Sequence, residues 1–248
     1  MNGDQKRWSQ KSGGQGNQNQ GDSDAFSAEI YLIRHGRTEA NAGRLYCGSS
    51  DIPLSADGVA EITRLKDEGI YPHYVDLCFT SGMLRTVETM GIIYGSKEEL
   101  DGTIEEFDGS IEAPSGTAAS GHIVLTGLQE YHFGFFEMQS YEMLKDRGDY
   151  QAWIADETGG VSCPGGESRN QFNKRVTEAF VEILSHIGVE SRMRERRRAA
   201  VFTHGGVITS IMDHLWPGTR GFYEWQPEPG RGYALVYEDR QSRQYRLI

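Results

Sequence analysis

Short apolar runs alternate along the chain with longer segments in which apolar residues recur every three or four positions. The runs at residues 30–33, 75–79 and 199–203 are typical of buried parallel strands. The longer segments predict amphipathic helices. Helices are expected from Ser55 to about Gly69, from Met83 to Ile93, over residues 140–154, from Ser168 through Ile183, and from Gly206 to before Pro217. Further strands are expected at 123–125, 233–237 and 245–248. This alternation predicts an α/β fold with three α/β/α layers, in which helices cover both faces of a mostly parallel central sheet.

Two segments lack a hydrophobic pattern. Residues 1–28 are rich in Gly, Gln, Asn and Ser, and we expect a disordered tail because they offer little to bury. Residues 96 to about 121 are rich in Gly, Ser, Asp and Glu, which predicts a mobile acidic insertion at the surface. The remaining pattern predicts one domain over residues 29–248.

Composition narrows the choice of partner and compartment. The formal net charge of −11 argues against nucleic acid or an anionic membrane as the main partner. No apolar run reaches the roughly 18 residues of a membrane helix, and the N-terminus lacks the apolar core of a signal peptide. Cys47, Cys78 and Cys163 have no CxxC spacing, so neither a disulfide framework nor a zinc knuckle is indicated. A soluble cytoplasmic protein is expected, with its oligomeric state left open.

Titratable residues stand at the ends of the predicted strands. Arg34 and His35 follow the first strand, Arg85 opens the helix after the second, and His204 follows the strand at 199–203. Because ligands bind outside the carboxyl ends of parallel strands, these four side chains should lie on one rim of the sheet. Arginine forks suit phosphoryl oxygens, and a neutral imidazole is a nucleophile at neutral pH.

Glycine follows each of the two histidines. Gly36 and Gly205 carry no Cβ, which lets the backbone approach a phosphate closely and offer its N–H group. The strand ends and these glycines together predict a phosphate-binding site.

Five motifs are similar in order and spacing to those of the histidine phosphatase (phosphoglycerate mutase-like) superfamily. They are RHGRTEAN at 34–41, DIPLSADG at 51–58, SGMLRTVET at 81–89, PGGES at 164–168 and THGG at 203–206. The resemblance covers about residue 29 to the C-terminus. It implies that His35 attacks phosphorus while Arg34, Arg85 and His204 bind the phosphoryl oxygens. It implies no metal and no cofactor, because the arginines and histidines neutralise the charge.

The resemblance extends to the rest of the pocket. Asn41 and Thr38 match positions that line it, and Glu130 in the segment 128–134 matches the family's proton donor. That carboxyl group would protonate the leaving oxygen and later deprotonate the attacking water. Glu137 is a second candidate for this role.

Three functions follow from the resemblance. The first is a phosphatase acting on a small phosphorylated metabolite, and the loop around Cys47 looks most like the α-ribazole phosphatase and broad-specificity phosphatase branch. The second is a phosphoglycerate mutase, which is disfavoured because the insertion is acidic and precedes Glu130. The third is a catalytically silent phosphate-binding module.

Overall fold

The structure is a computed structural model that describes residues 27–95, 122–190, 197–238 and 241–248. The predicted insertion at 96–121 lies outside the described residues. The predicted tail at 1–28 also lies outside them, except for Ser27 and Ala28, which already belong to the first strand. No helix in the described part of the chain is long and apolar enough to cross a membrane.

A six-stranded sheet forms the centre of the structure. Its strands are β1 (Ser27–Arg34), β2 (Leu77–Thr80), β3 (His122–Val124), β4 (Arg197–Thr203), β5 (Gly232–Glu238) and β6 (Gln241–Leu247). The order is β3-β2-β4-β1-β5-β6. The first four strands in this order are parallel, whereas β5 pairs antiparallel with β1 and with β6. The prediction of a mostly parallel sheet is confirmed.

Helices cover both faces because every second residue of a strand points to the same side. The helices are α1 (Glu39–Ala42), α2 (Ala56–Asp67), α3 (Leu84–Tyr94), α4 (Tyr141–Leu144), α5 (Gly148–Ile154), α6 (Arg169–Glu190) and α7 (Gly205–Leu215). Ile30 and Leu32 of β1 pack with α6 and α7, while Tyr31 and Ile33 pack with α2 and α3. The three-layer prediction is therefore confirmed.

The prediction of one continuous helix over residues 140–154 is wrong. The segment 140–154 forms two short helices, α4 and α5, separated by residues 145–147. Gln151 Nε2 donates to the Lys145 carbonyl, and Arg147 binds the side chain of Asp149. These side-chain bonds and the weak helix propensity of Gly148 favour a break over a continuous helix.

Three neighbouring parallel strands end at the same edge of the sheet. Arg34, the last residue of β1, pairs in register with Thr203, the last residue of β4. His35 and His204 follow directly, and the His35 N–H donates to the Thr203 carbonyl at 2.9 Å. β2 lies on the other side of β4 and ends at Thr80. This edge is where the sequence places the site.

Candidate active site

His35 is held as a neutral imidazole with one free nitrogen. Its Nδ1 lies 2.6 Å from the Gly36 carbonyl, and because a carbonyl only accepts, Nδ1 carries the proton. Nε2 therefore keeps its lone pair. The side chain is 5% exposed, and burial together with Arg85 and Arg34 lowers its pKa well below 6.5. At neutral pH this nitrogen is available as a nucleophile.

His204 has the opposite tautomer. Arg85 Nε donates to its Nδ1 at 3.3 Å, so its Nε2 carries the proton and donates to Ser81 Oγ at 2.9 Å. The rings of His35 and His204 meet edge to face, with centroids 5.1 Å apart. Burial and the charge of Arg85 lower the pKa of His204 well below 6.5. Ser81 is the first residue of the SGMLRTVET motif, but the sequence alone did not indicate its bond to His204.

Arg85 is 1% exposed and is fixed by a loop. Its Nη1 and Nη2 donate to the carbonyls of Ser50 and Gly48 at 2.8 and 2.9 Å. The amides of the same two residues donate to Glu137 Oε1 at 2.8 and 2.7 Å. Glu137 therefore clamps the loop that orients Arg85, and it does not line the cavity that contains His35.

Arg34 projects from the end of β1 into that cavity. Its Nη1 donates to the Pro227 carbonyl at 2.7 Å, and its buried Nε has no hydrogen-bond partner among the described residues. Burial lowers its pKa, while Glu130 and Glu228 partly oppose this effect. A Cβ on Gly205 would stand 2.4 Å from Gln226 Nε2 and 3.2 Å from Arg34 Cζ, so a larger residue there would push on both side chains.

Glu130 reaches the same cavity from the loop after β3. Its Oε2 accepts from the Gly206 N–H and its Oε1 from the Tyr131 N–H, both at 2.9 Å. A Cβ on Gly206 would collide with Oε1, which explains the second glycine of the THGG motif. The carboxyl group thus lies at the N-terminus of α7, beside the cavity that His35 and Arg34 line.

Arg175 on α6 holds the Glu130 loop, and sequence reasoning missed it. Its Nη1 donates to the carbonyls of Gly127 and Gln129 at 2.9 and 2.8 Å. Its Nη2 lies 2.6 Å from Glu167 Oε1, which also accepts from the His132 N–H at 2.8 Å. An arginine two helical turns after the PGGES motif was the available signal, but helix spacing alone does not show what it binds.

Of the two predicted pocket residues Asn41 and Thr38, only Asn41 lines the cavity. Thr38 is 1% exposed and caps α1: its Oγ1 accepts from the Asn41 N–H at 3.4 Å, while its own N–H donates to Asn41 Oδ1 at 3.0 Å. Thr38 is not among the residues that line the cavity, so its contact with the site runs through Asn41.

The cavity has a volume of about 420 Å³. Arg34, His35, Glu130 and Gly206 line it, and aromatic side chains supply much of the remaining wall. In the described part of the chain, no group of three or more His, Cys, Asp or Glu side chains is arranged to hold a metal ion. Arg34, His35 and Glu130 face one space in which they can bind a phosphoryl group and move a proton. Arg85 and His204 are buried and are not among the residues that line the cavity.

Comparison with known proteins identifies a family. The model of the histidine phosphatase superfamily (branch 1) matches residues 30–116 and 111–244. The chain is 30% identical over 202 residues to 2,3-bisphosphoglycerate-dependent phosphoglycerate mutase 1 of Gloeobacter violaceus, covering 75% of this chain and 82% of the relative. It is 26% identical over 188 residues to the adenosylcobalamin/alpha-ribazole phosphatase of Escherichia coli K12, covering 75% and 78%.

A solved structure shares the fold. The protein is from Escherichia coli str. K-12 substr. MG1655 and is provisionally assigned as an alpha-ribazole-5'-P phosphatase. It superposes with a TM-score of 0.67 at 23% identity, covering 89% of this chain and 95% of the other. The arrangement of sheet and helices is therefore that of a known group of structures.

Proposed function

We propose, from the premise that this chain belongs to the histidine phosphatase superfamily (branch 1), that it hydrolyses a small phosphomonoester through a phosphohistidine on His35. The observation that carries the proposal is the 2.6 Å bond from His35 Nδ1 to the Gly36 carbonyl, which leaves Nε2 free in a cavity shared with Arg34 and Glu130. A cytoplasmic location is also proposed, in keeping with the free thiols of the three cysteines.

The reaction takes two steps. In the first, His35 Nε2 forms a bond to phosphorus while the ester P–O bond breaks, and Glu130 gives its proton to the departing oxygen. Arg34 binds the phosphoryl oxygens and stabilises their charge, and the buried cation Arg85, which does not line the cavity, adds a longer-range electrostatic contribution. His204 donates its only N–H to Ser81 and packs against the ring of His35. In the second, water attacks phosphorus, Glu130 takes up a proton, and the N–P bond breaks to release inorganic phosphate and neutral His35.

A phosphoglycerate mutase is the second candidate, and the 30% identity to the Gloeobacter mutase favours it. In a mutase, a substrate hydroxyl group takes the place of water in the second step. Interconversion of phosphoglycerates that depends on a bisphosphorylated primer, without net release of phosphate, would replace the phosphatase proposal.

Hydrolysis of an aryl phosphate by wild type, His35→Ala and His73→Ala tests the proposal. His73 is an exposed histidine outside the cavity and serves as the matched control. We expect His35→Ala to lose at least about 10³-fold in kcat and His73→Ala to match wild type. An acid-labile, base-stable phosphoryl adduct should form on His35. Equal activity of wild type and His35→Ala would refute the proposal, and an adduct on His204 would reverse the two histidine roles.

A further inference from the structure

Three aromatic rings, which we call the ring wall, form one side of the cavity: Tyr46, Phe133 and Trp153. Their centroids are 5.0 Å apart for Tyr46 and Phe133, 5.9 Å for Tyr46 and Trp153, and 6.1 Å for Phe133 and Trp153. All three are only partly buried and pack on the core from one side. The three rings are therefore a preformed apolar surface facing a space of about 420 Å³.

The ring wall begins next to Glu130. The N–H of Tyr131 donates to Glu130 Oε1 at 2.9 Å, and the Tyr131 ring stacks on Phe133 with centroids 5.1 Å apart. Trp153 Nε1 donates to the Tyr131 hydroxyl group at 3.1 Å, which fixes the indole. An alcohol that receives its proton from Glu130 therefore departs beside the ring wall.

Two charged residues in the cavity lining already have hydrogen-bond partners. Asp156 accepts from the N–H groups of Thr158 and Val161 at 2.9 and 2.8 Å, and Arg169 Nη2 donates to the Asp156 carbonyl. Asp156 and Arg169 both line the cavity, so an acidic leaving group would meet a carboxylate as well as a cation. These charges give a carboxylated alcohol little net attraction.

We propose that this site selects phosphomonoesters whose alcohol carries a planar apolar ring. The inference rests on the proposed hydrolysis at His35. The phosphoryl group binds between Arg34 and His35, and the ring stacks on the ring wall, where offset and edge-to-face contacts are favourable. A short polar alcohol leaves the ring wall in contact with water and gains none of this contact.

The experiment compares benzyl phosphate with n-propyl phosphate, because both release a primary alcohol and differ mainly in the ring. Wild type should show a kcat/KM at least about tenfold higher for benzyl phosphate, the effect expected from burying one phenyl ring. Phe133→Leu should reduce this ratio by about twofold to tenfold. Trp153→Leu is the second variant, should Phe133→Leu not fold. Tyr74→Leu changes an exposed aromatic residue outside the cavity and should keep the ratio.

Calorimetric binding of benzylphosphonate and n-propylphosphonate separates this inference from the proposed function, since neither ligand can be hydrolysed. Tighter binding of benzylphosphonate, weakened by Phe133→Leu and not by Tyr74→Leu, supports the ring wall even if no ester is turned over. Equal binding of the two phosphonates, or an equal kcat/KM for the two esters, overturns the inference and leaves phosphatase activity untouched.

Discussion

Glu137 offers a sharp test of how the site is built. Its Oε1 accepts from the amides of Gly48 and Ser50, whose carbonyls accept from the guanidinium of Arg85. The Glu137 carboxylate therefore orients Arg85 through the short segment Gly48–Ser50. It holds this segment by two hydrogen bonds, 2.7 and 2.8 Å long. We predict that Glu137→Gln lowers kcat by weakening this clamp, although Glu137 does not touch the substrate.

The magnitude follows from the two hydrogen bonds. A bond to a charged group contributes about 1.5–3 kcal/mol, and a neutral amide oxygen about 0.5–1.5 kcal/mol, so the substitution weakens the clamp by about 2–3 kcal/mol in total. The new amide nitrogen would also occupy the position of the buried Oε2, which has no partner among the described residues. If about half of this loss reaches the transition state through Arg85, kcat falls by roughly tenfold.

The assay measures kcat for an aryl phosphate with an acidic leaving group and for an alkyl phosphate with a basic one. A basic leaving group needs a proton in the transition state, whereas an acidic one does not. Glu137→Gln should lower kcat by the same factor on both esters. The matched variant Glu130→Gln should lower kcat far more on the alkyl ester than on the aryl ester. A selective loss on the alkyl ester by Glu137→Gln would identify it as the proton donor, and full activity on both would refute the clamp.

Three further predictions concern the free energy of unfolding and the KM of the substrate. Arg175→Met should lower the free energy of unfolding in urea by about 2–4 kcal/mol, since it strips donors from two backbone carbonyls and breaks a partly exposed ion pair; a loss below about 1 kcal/mol would contradict this. Because His35 and His204 are buried with pKa values well below 6.5, the unfolded chain binds protons that the folded chain does not as pH falls below about 6.5. The free energy of unfolding should then fall by up to about 1.4 kcal/mol per pH unit for each histidine, and an acid limb unchanged in His35→Asn would refute this. Gly205→Ala should raise KM by about tenfold because its Cβ would stand 2.4 Å from Gln226 Nε2 and 3.2 Å from Arg34 Cζ, and both of these residues line the cavity. Gly148→Ala, which meets open space, should keep the wild-type KM.

Short sequence patterns were enough to locate the candidate site. Apolar runs predicted β1 and β4, and a residue that follows a buried parallel strand must lie at the ligand edge of the sheet. His35 and His204 were therefore located by position alone, and the structure brings their rings to 5.1 Å. The break between α4 and α5 escaped prediction because side-chain bonds to the backbone compete with a periodic apolar pattern.

What the sequence by itself determined is the layered fold and the four basic side chains at one strand edge, because hydrophobic period and strand-end position are encoded in neighbouring residues. Only the tertiary structure decided which ring nitrogen of each histidine carries the proton, how Arg175 holds the loop of Glu130, and which aromatic rings line the cavity. Apart from the bond between His35 and Gly36, these features join residues that are tens of positions apart in the chain. Their geometry is fixed by packing and hydrogen bonds between elements, which no local pattern specifies.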